Sequence, residues 1–192
     1  MENKKSVILF DFFGVISSEI APFWFARHFD SESAIRLKAD IFVPADLGLI
    51  SEEDTYIKMQ ELSGIPKEKI KEDFYSLVNI NTELLSHIKQ LREKYKVYII
   101  SNASASFLRN ILKSYSLYEY FDGIFISAEM KLAKPDTRYF SFVLDSIGIP
   151  PSAAVMTDDN PTNVKAAGEA GIDGIIFKNT DDFITKLYKA LN

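Results

Sequence analysis

Short apolar segments of strand length alternate with amphipathic helical patterns along most of the chain. A buried strand of a parallel sheet is a short continuous apolar run, whereas a helix that covers the sheet repeats apolar residues every three to four positions. The alternation therefore predicts a doubly wound parallel α/β core. The predicted strands are Val7–Phe10, Val97–Ile100, Gly123–Ile126, Ala153–Met156 and Gly174–Phe177.

Residues 16–81 interrupt this alternation, because they hold helical patterns and no convincing strand. A crossover between parallel strands needs only about a dozen residues, so a segment of this length predicts a subdomain. Ser51 and Asp54 have the spacing of a helix capping box. Four aromatic residues are expected to fill its interior: Phe23, Trp24, Phe25 and Phe29. The predicted architecture is a doubly wound, Rossmann-like core of residues 1–15 and 82–192 with an inserted α-helical cap of residues 16–81.

Composition and charge restrict the classes of partner and compartment. The 192 residues include 22 Lys+Arg, 27 Asp+Glu and no cysteine, with a formal net charge of −5. An acidic chain without a basic block is not typical of nucleic-acid or anionic-membrane binding, and the lack of cysteine excludes disulfides, thiolate metal sites and a cysteine nucleophile. The early apolar run is too short for a signal peptide, and no run is long enough to span a membrane. We therefore expect a cytoplasmic protein, and the oligomeric state stays open.

Polar residues follow four of the predicted strands. In open α/β sheets, ligands bind outside the carboxyl ends of the strands, so we expect these polar side chains to lie close together at one edge. In chain order they are Asp11, Ser101-Asn102, Lys134 and Asp158-Asp159.

Three carboxylates at one sheet edge require positive charge nearby. At about 4 Å and an effective dielectric near 20, each pair repels by roughly 4 kcal/mol, and Mg²⁺ prefers oxygen ligands together with substrate phosphate. His28 and His87 lie within helical patterns, so zinc and copper are not expected. With Mg²⁺ and Lys134 present, the site can hold a phosphoryl group. Asp11 is then the natural nucleophile, because a carboxylate can attack phosphorus and form an aspartyl phosphate.

These residues resemble the four motifs of the haloacid dehalogenase-like (HAD) superfamily, and the resemblance covers nearly the whole chain. The segment from Tyr120 to Phe125, leading to Lys134-Pro135, is similar to the branch whose helical cap lies between the first and second motifs. The four motifs are Asp11-Phe12-Phe13-Gly14-Val15, Ser101-Asn102, Lys134-Pro135-Asp136, and Thr157-Asp158-Asp159 continuing through Asn163-Val164.

The resemblance implies a role for each matched residue. Asp11 is the implied nucleophile of an Mg²⁺-dependent hydrolase that acts on small phosphorylated metabolites, and Ser101 and Lys134 are implied phosphoryl ligands. Further expected contacts complete the site: the metal is bound by Asp11, the backbone carbonyl of Phe13, Asp158 and Asp159, and the substrate also touches Phe13, Asn102 and Asn163.

Phe13 departs from the phosphatase pattern, in which this position holds an Asp that protonates the leaving alkoxide and then activates water. A positioned acid–base group contributes about 10²–10⁴-fold to the rate. We therefore expect slow hydrolysis of poor leaving groups unless another residue substitutes. Asp46, Glu52 and Glu53 of the predicted cap are candidates, and the sequence selects none of them.

Two alternatives stay open because of Phe13. Haloacid dehalogenases of the same superfamily carry an aromatic residue there and displace halide without a metal, although the Asp158-Asp159 pair would repel their carboxylate substrates. The second alternative is a catalytically silent phosphate-binding or regulatory module, in which an aspartyl phosphate on Asp11 is long-lived because no efficient base activates water.

Overall fold

A parallel sheet of five strands forms the centre of the computed structural model, which describes residues 5–191. The strands are β1 (Val7–Phe10), β2 (Lys96–Ser101), β3 (Gly123–Ile126), β4 (Ala154–Asp158) and β5 (Asp173–Ile176). Their order across the sheet is β3-β2-β1-β4-β5, so the chain starts in the middle and winds outward in both directions. Residues 1–4 and 192, which the predicted core includes, lie outside the described residues.

The doubly wound prediction is confirmed, and the bounds of three strands are corrected. The strand β2 is one residue longer at each end than the predicted Val97–Ile100. Ala153 lies in a 3-10 turn, and β4 continues two residues beyond the prediction because Thr157 and Asp158 pair with Ile175 and Ile176 of β5. The last strand correspondingly ends before Phe177. The extension matters for the site, because the sheet itself holds the backbone of Asp158.

Helices cover both faces of the sheet, and no helix among residues 5–191 is long and apolar enough to cross a membrane. The helices before β2 are α1 (Ala21–His28), α2 (Ser31–Leu37), α3 (Val43–Asp46), α4 (Glu52–Ser63), α5 (Lys67–Ser76) and α6 (Thr82–Leu91), with a π-helical turn at Lys38–Phe42. The later helices are α7 (Ala105–Ser114), α8 (Ser127–Met130), α9 (Thr137–Ile147), α10 (Pro161–Glu169) and α11 (Thr180–Leu191).

Side chains of β1 alternate between two apolar cores, as the period of two in a strand requires. Ile8 and Phe10 belong to the core that includes α6, α7 and α11. Val7 and Leu9 belong to the core on the opposite face, with α9 and α10. The first of these cores is continuous with the apolar interior of residues 16–81, so the helical insertion packs on the same side of the sheet as α7.

The insertion leaves and rejoins the core at one hydrogen-bonded crossing. Ser17 forms bridges with both Phe13 and Ile80, and the backbone N–H of Asn81 donates to the carbonyl of Ile16 at 2.9 Å. The capping box at the start of α4 is present as predicted. The expectation that all four aromatic residues fill the interior of the insertion was wrong for Phe23, which is 55% exposed. Successive residues of a helix point about 100° apart, so only part of the aromatic run of α1 faces inward.

Phe183 of α11 supplies a direct test of this packing, because its ring is fully buried and meets Phe10 edge to face with centroids 5.4 Å apart. We expect Phe183→Ala to lower the free energy of unfolding by about 3–5 kcal/mol, since it removes a buried aromatic ring. Phe142→Ala is the control, because Phe142 is 41% exposed. Chemical denaturation of both variants measures the difference, and equal losses would contradict the assignment of the core.

Candidate active site

The ammonium group of Lys134 lies between two buried carboxylates at the carboxyl edge of the sheet. Its Nζ is 2.9 Å from Oδ1 of Asp11 and 2.6 Å from Oδ2 of Asp158. The side chains of Lys134 and Asp158 are almost completely buried, and that of Asp11 is nearly so. Residues from three distant parts of the sequence therefore meet in one charged cluster.

The sheet positions the two carboxylates. Asp11 follows β1 directly, and its backbone N–H donates to the carbonyl of Thr157 at 2.9 Å, which continues the pairing of β1 with β4. Asp158 is the last residue of β4. Its Oδ1 accepts hydrogen bonds from the backbone N–H of Asn160 at 2.9 Å and from Nδ2 of Asn163 at 3.1 Å. These bonds fix the orientation of the Asp158 carboxylate from the start of α10.

Asn102 positions Lys134. The side chain of Asn102 accepts from the backbone N–H of Lys134 at 2.8 Å and donates to its carbonyl at 2.7 Å. This two-point contact fastens the loop that carries Lys134 to the end of β2. The side-chain amide of Asn102 is thus occupied by the protein, as is that of Asn163 through Asp158, although both residues also border the cavity described below. Their contact with substrate stays a prediction.

Asp159 completes a group of three carboxylates. Each of Asp11, Asp158 and Asp159 offers an oxygen within 4.8 Å of the other two. Gly14 makes room for this approach, because a Cβ built at Gly14 would lie 2.5 Å from the carboxylate of Asp159, and its φ of +81° favours glycine. The close approach of Asp159, in the fourth motif, therefore requires a glycine at position 14, in the first motif.

Burial and charge shift the pKa values of these groups. Burial raises the pKa of Asp11 well above its usual range, with Lys134 opposing and Asp158 adding to the effect. Burial also acts to raise the pKa of Asp158, but the adjacent Lys134 and the N–H of Asn160 hold it below its ordinary value. The pKa of Lys134 is raised, because Asp11 and Asp158 outweigh the effect of burial. Burial and the charge of Asp158 raise the pKa of Asp159.

Three carboxylates and one ammonium fit a divalent cation. When all are ionised, their summed charge is −2, and every donor among the three acids is a hard oxygen of the kind that Mg²⁺ prefers. Burial makes such an excess of negative charge costly without a counterion. The residues present therefore suit magnesium.

Ser101 ends β2 at the same edge of the sheet, and its side chain is fully buried. Its Oγ has no hydrogen-bond partner among the described residues. A buried hydroxyl without a partner is uncommon and calls for an explanation. A donor of this kind at the sheet edge is compatible with the phosphoryl contact that the sequence predicts.

A cavity of about 680 Å³ opens above the carboxylates, between the sheet edge and the insertion. Asp11, Phe13 and Lys134 lie at its base, whereas Phe25 and Phe42 of the insertion form part of its apolar wall. Ligand sites are typically concave and largely apolar with a few convergent polar groups. The cavity therefore has the character of a ligand site.

Glu19 and Lys38 also line this cavity, and sequence reasoning missed both. Glu19 is half-buried between β1 and α1, and burial together with Asp159 raises its pKa. The sequence signal that could have identified Glu19 is a charged residue directly before the apolar Ile20. Lys38 begins the π-helical turn, a local geometry that the sequence pattern does not reveal.

A model of the haloacid dehalogenase-like hydrolase family matches residues 47–177 of the chain. A D-ribitol-5-phosphate phosphatase of Bacteroides thetaiotaomicron is 24% identical, over 96% of this chain and 98% of that protein. A drimenol cyclase of Aspergillus calidoustus is also 24% identical, but the chain spans only 29% of its length.

Solved structures of an enzyme of the HAD family from Bacteroides thetaiotaomicron are similar to this chain. One superposes with a TM-score of 0.83 at 26% identity, covering 96% of this chain and 98% of that one. Another, a complex with magnesium and inorganic phosphate, has a TM-score of 0.77 at 28% identity and covers 91% and 94% of the two chains.

Lys134→Met tests the charged cluster, because it leaves Asp11 and Asp158 buried without their shared cation. We expect the free energy of unfolding in EDTA to fall by about 3–5 kcal/mol. Lys165→Met is the control, because the Lys165 side chain is 79% exposed and forms an ion pair with the exposed Glu169. Thermal unfolding of both variants is the measurement, and an unchanged midpoint in Lys134→Met would contradict the geometry.

Proposed function

Because this chain belongs to the haloacid dehalogenase-like hydrolase family, we propose that it hydrolyses phosphate monoesters of small metabolites through an aspartyl phosphate on Asp11. One carboxylate oxygen of Asp11 attacks phosphorus, and the bond from phosphorus to the ester oxygen breaks. Water then attacks phosphorus of the aspartyl phosphate, which releases inorganic phosphate and restores Asp11.

The observation that carries this proposal is the contact of Lys134 with Asp11 and Asp158 beside Asp159. A nucleophilic carboxylate must be ionised, and Lys134 favours that form of Asp11 from 2.9 Å. The same ammonium neutralises part of the charge on an incoming phosphoryl group. Without this positive charge, repulsion from Asp11, Asp158 and Asp159 would oppose the approach of a dianionic ester.

The proposed ligands of Mg²⁺ are Asp11, Asp158, Asp159 and the backbone carbonyl of Phe13. Bound there, the cation would offset the repulsion among the carboxylates, favour the ionised form of Asp11 and stabilise charge on the phosphoryl oxygens. The relative solved with magnesium and phosphate supports this assignment.

Residues around the cluster have positioning tasks in this proposal. Asn163 and the N–H of Asn160 hold the Asp158 carboxylate, and Asn102 holds the backbone of Lys134. The unpartnered hydroxyl of Ser101 would donate to a phosphoryl oxygen. The predicted contacts of Phe13, Asn102 and Asn163 with the substrate are part of the same proposal.

Residues 16–81 act as a cap in this proposal, with residues 1–15 and 82–192 as the catalytic core. The insertion lines the upper wall of the cavity over Asp11, and its two connections cross at Ser17 and Ile80. A cap in this place would exclude water from the reacting phosphoryl group and select the organic part of the substrate. The phosphatases among the relatives support a small phosphorylated substrate.

We expect Asp11→Asn to lower the hydrolysis of para-nitrophenyl phosphate by at least about 10³-fold, because an amide cannot replace the nucleophilic carboxylate. EDTA should abolish the wild-type activity, and added Mg²⁺ should restore it. Asp145→Asn, on the exposed side of α9, is a matched control that should retain full activity.

Two results would replace this proposal with an alternative. Chloride release from chloropropionate without a metal would establish dehalogenation, for which the aromatic Phe13 is the specific argument. A phosphoryl adduct on Asp11 that persists for hours after treatment with acetyl phosphate, detected by intact mass, would favour the silent phosphate-binding module.

A further inference from the structure

At the position of Phe13, an acidic side chain would serve the proposed reaction. The Phe13 ring instead packs against two other aromatic rings. It stacks on Phe107 with centroids 6.0 Å apart and a 13° angle, and it meets Phe12 edge to face at 5.0 Å. The inference that follows rests on the proposed function. If the chain cleaves an alkyl phosphate, the leaving oxygen must take a proton from another group.

Six carboxyl groups line the cavity, and three of the four outside the proposed metal site have features that argue against this task. Glu52 is held by Ser106 at 2.5 Å and by two tyrosine hydroxyls. Asp30 caps α2, and its hydrogen bonds with Ser33 hold its pKa below the usual value. Glu19 faces the proposed metal ligands Asp159 and Asp158, which repel its charge. The six are Asp11, Glu19, Asp30, Asp46, Glu52 and Asp159.

Asp46 is the fourth of these groups, and its carboxyl has no hydrogen-bond or ion-pair partner among the described residues. It ends α3, next to the point where the insertion touches the core. There Gly48, with φ of +65°, lies so close to the carbonyl of Ala128 that a Cβ would overlap it. This contact, together with the hydrogen bond from Leu49 N–H to the carbonyl of Pro44 at 2.9 Å, fixes the end of α3 over the cavity.

The surroundings of Asp46 suit proton transfer at neutral pH. Burial raises its pKa to about 7, while Lys38 and Lys134 lower it and Glu19 raises it further. Asp46 and Lys134 line the same cavity, and Lys134 contacts Asp11 there. A carboxyl that is partly protonated near pH 7 can donate a proton in one step and accept one in the next.

We propose that Asp46 is the general acid and base of this hydrolase and performs the task that Phe13 cannot. When Asp11 attacks, the electron pair of the breaking phosphorus–oxygen bond goes to the ester oxygen, which takes the proton of the Asp46 carboxyl. The resulting Asp46 carboxylate then accepts a proton from the water that attacks the aspartyl phosphate. Both groups return to their starting forms.

The test compares two phosphate esters whose leaving groups differ in their need for a proton. For Asp46→Asn, we expect kcat/KM for phenethyl phosphate to fall by at least about 10²-fold, whereas kcat/KM for para-nitrophenyl phosphate changes by less than about threefold. This ratio reports the steps up to departure of the leaving group, and nitrophenolate leaves without protonation. Asp40→Asn is the matched control, since Asp40 is an exposed carboxylate of the adjacent π-helical turn. It should leave both rates unchanged.

The pH profile of the wild-type protein gives an independent readout. An acid must be protonated to act, so kcat/KM for phenethyl phosphate should fall as the pH rises through about 7, the pKa of Asp46. The kcat/KM for para-nitrophenyl phosphate should lack this fall, and Asp46→Asn should remove the fall seen with phenethyl phosphate. If the phenethyl phosphate profile of kcat/KM stays flat from about one unit below to about two units above that value, the proposal is overturned.

The outcomes separate this inference from the proposed function. If neither ester is hydrolysed in a manner that depends on Asp11, the proposed function itself is wrong. If both esters are hydrolysed but Asp46→Asn lowers kcat/KM for both esters equally, or for neither, only the role of Asp46 is overturned. A selective loss in Glu19→Gln instead would transfer the role to Glu19.

Discussion

The arrangement of this site depends on one electrostatic constraint, the burial of like charges at the edge of a parallel sheet. Adjacent parallel strands end at the same edge, so β1 and β4 bring Asp11 and Asp158 together whatever their charge. Lys134 lies within hydrogen-bond distance of both carboxylates. With Asp159 included, the site carries more negative than positive charge. This excess favours the binding of a cation, and a bound cation in turn favours the binding of a phosphoryl group.

The insertion adds apolar packing and one acidic group to this edge. Its aromatic interior is continuous with the core beneath β1, and Phe13 joins the two through its stacking on Phe107. An aspartate at position 13 would place a charge within that packing. The chain therefore has a physical reason for an aromatic residue there, and under our proposals the proton chemistry lies in the insertion, at Asp46.

The sequence predicts the features that depend on local pattern and fails where long-range contacts decide. Apolar runs located the strands, but the pairing with β5 that extends β4 to Asp158 is a relation between strands and leaves no local signal. The motifs identified Asp11 and Lys134, yet the sequence did not select Asp46 among the acids of the insertion. That selection required the partners of Glu52 and the contact of Gly48 with Ala128, both made with distant residues.

In the proposed mechanism the carboxylate of Asp11 becomes bonded to phosphorus during turnover. Quenching the protein with sodium borohydride during steady-state hydrolysis reduces an aspartyl phosphate to homoserine, which peptide mass spectrometry locates by residue. We expect homoserine at position 11 only when substrate and Mg²⁺ are both present. Hydrolysis that proceeds at full rate with an unmodified Asp11 in every quenched sample would contradict it.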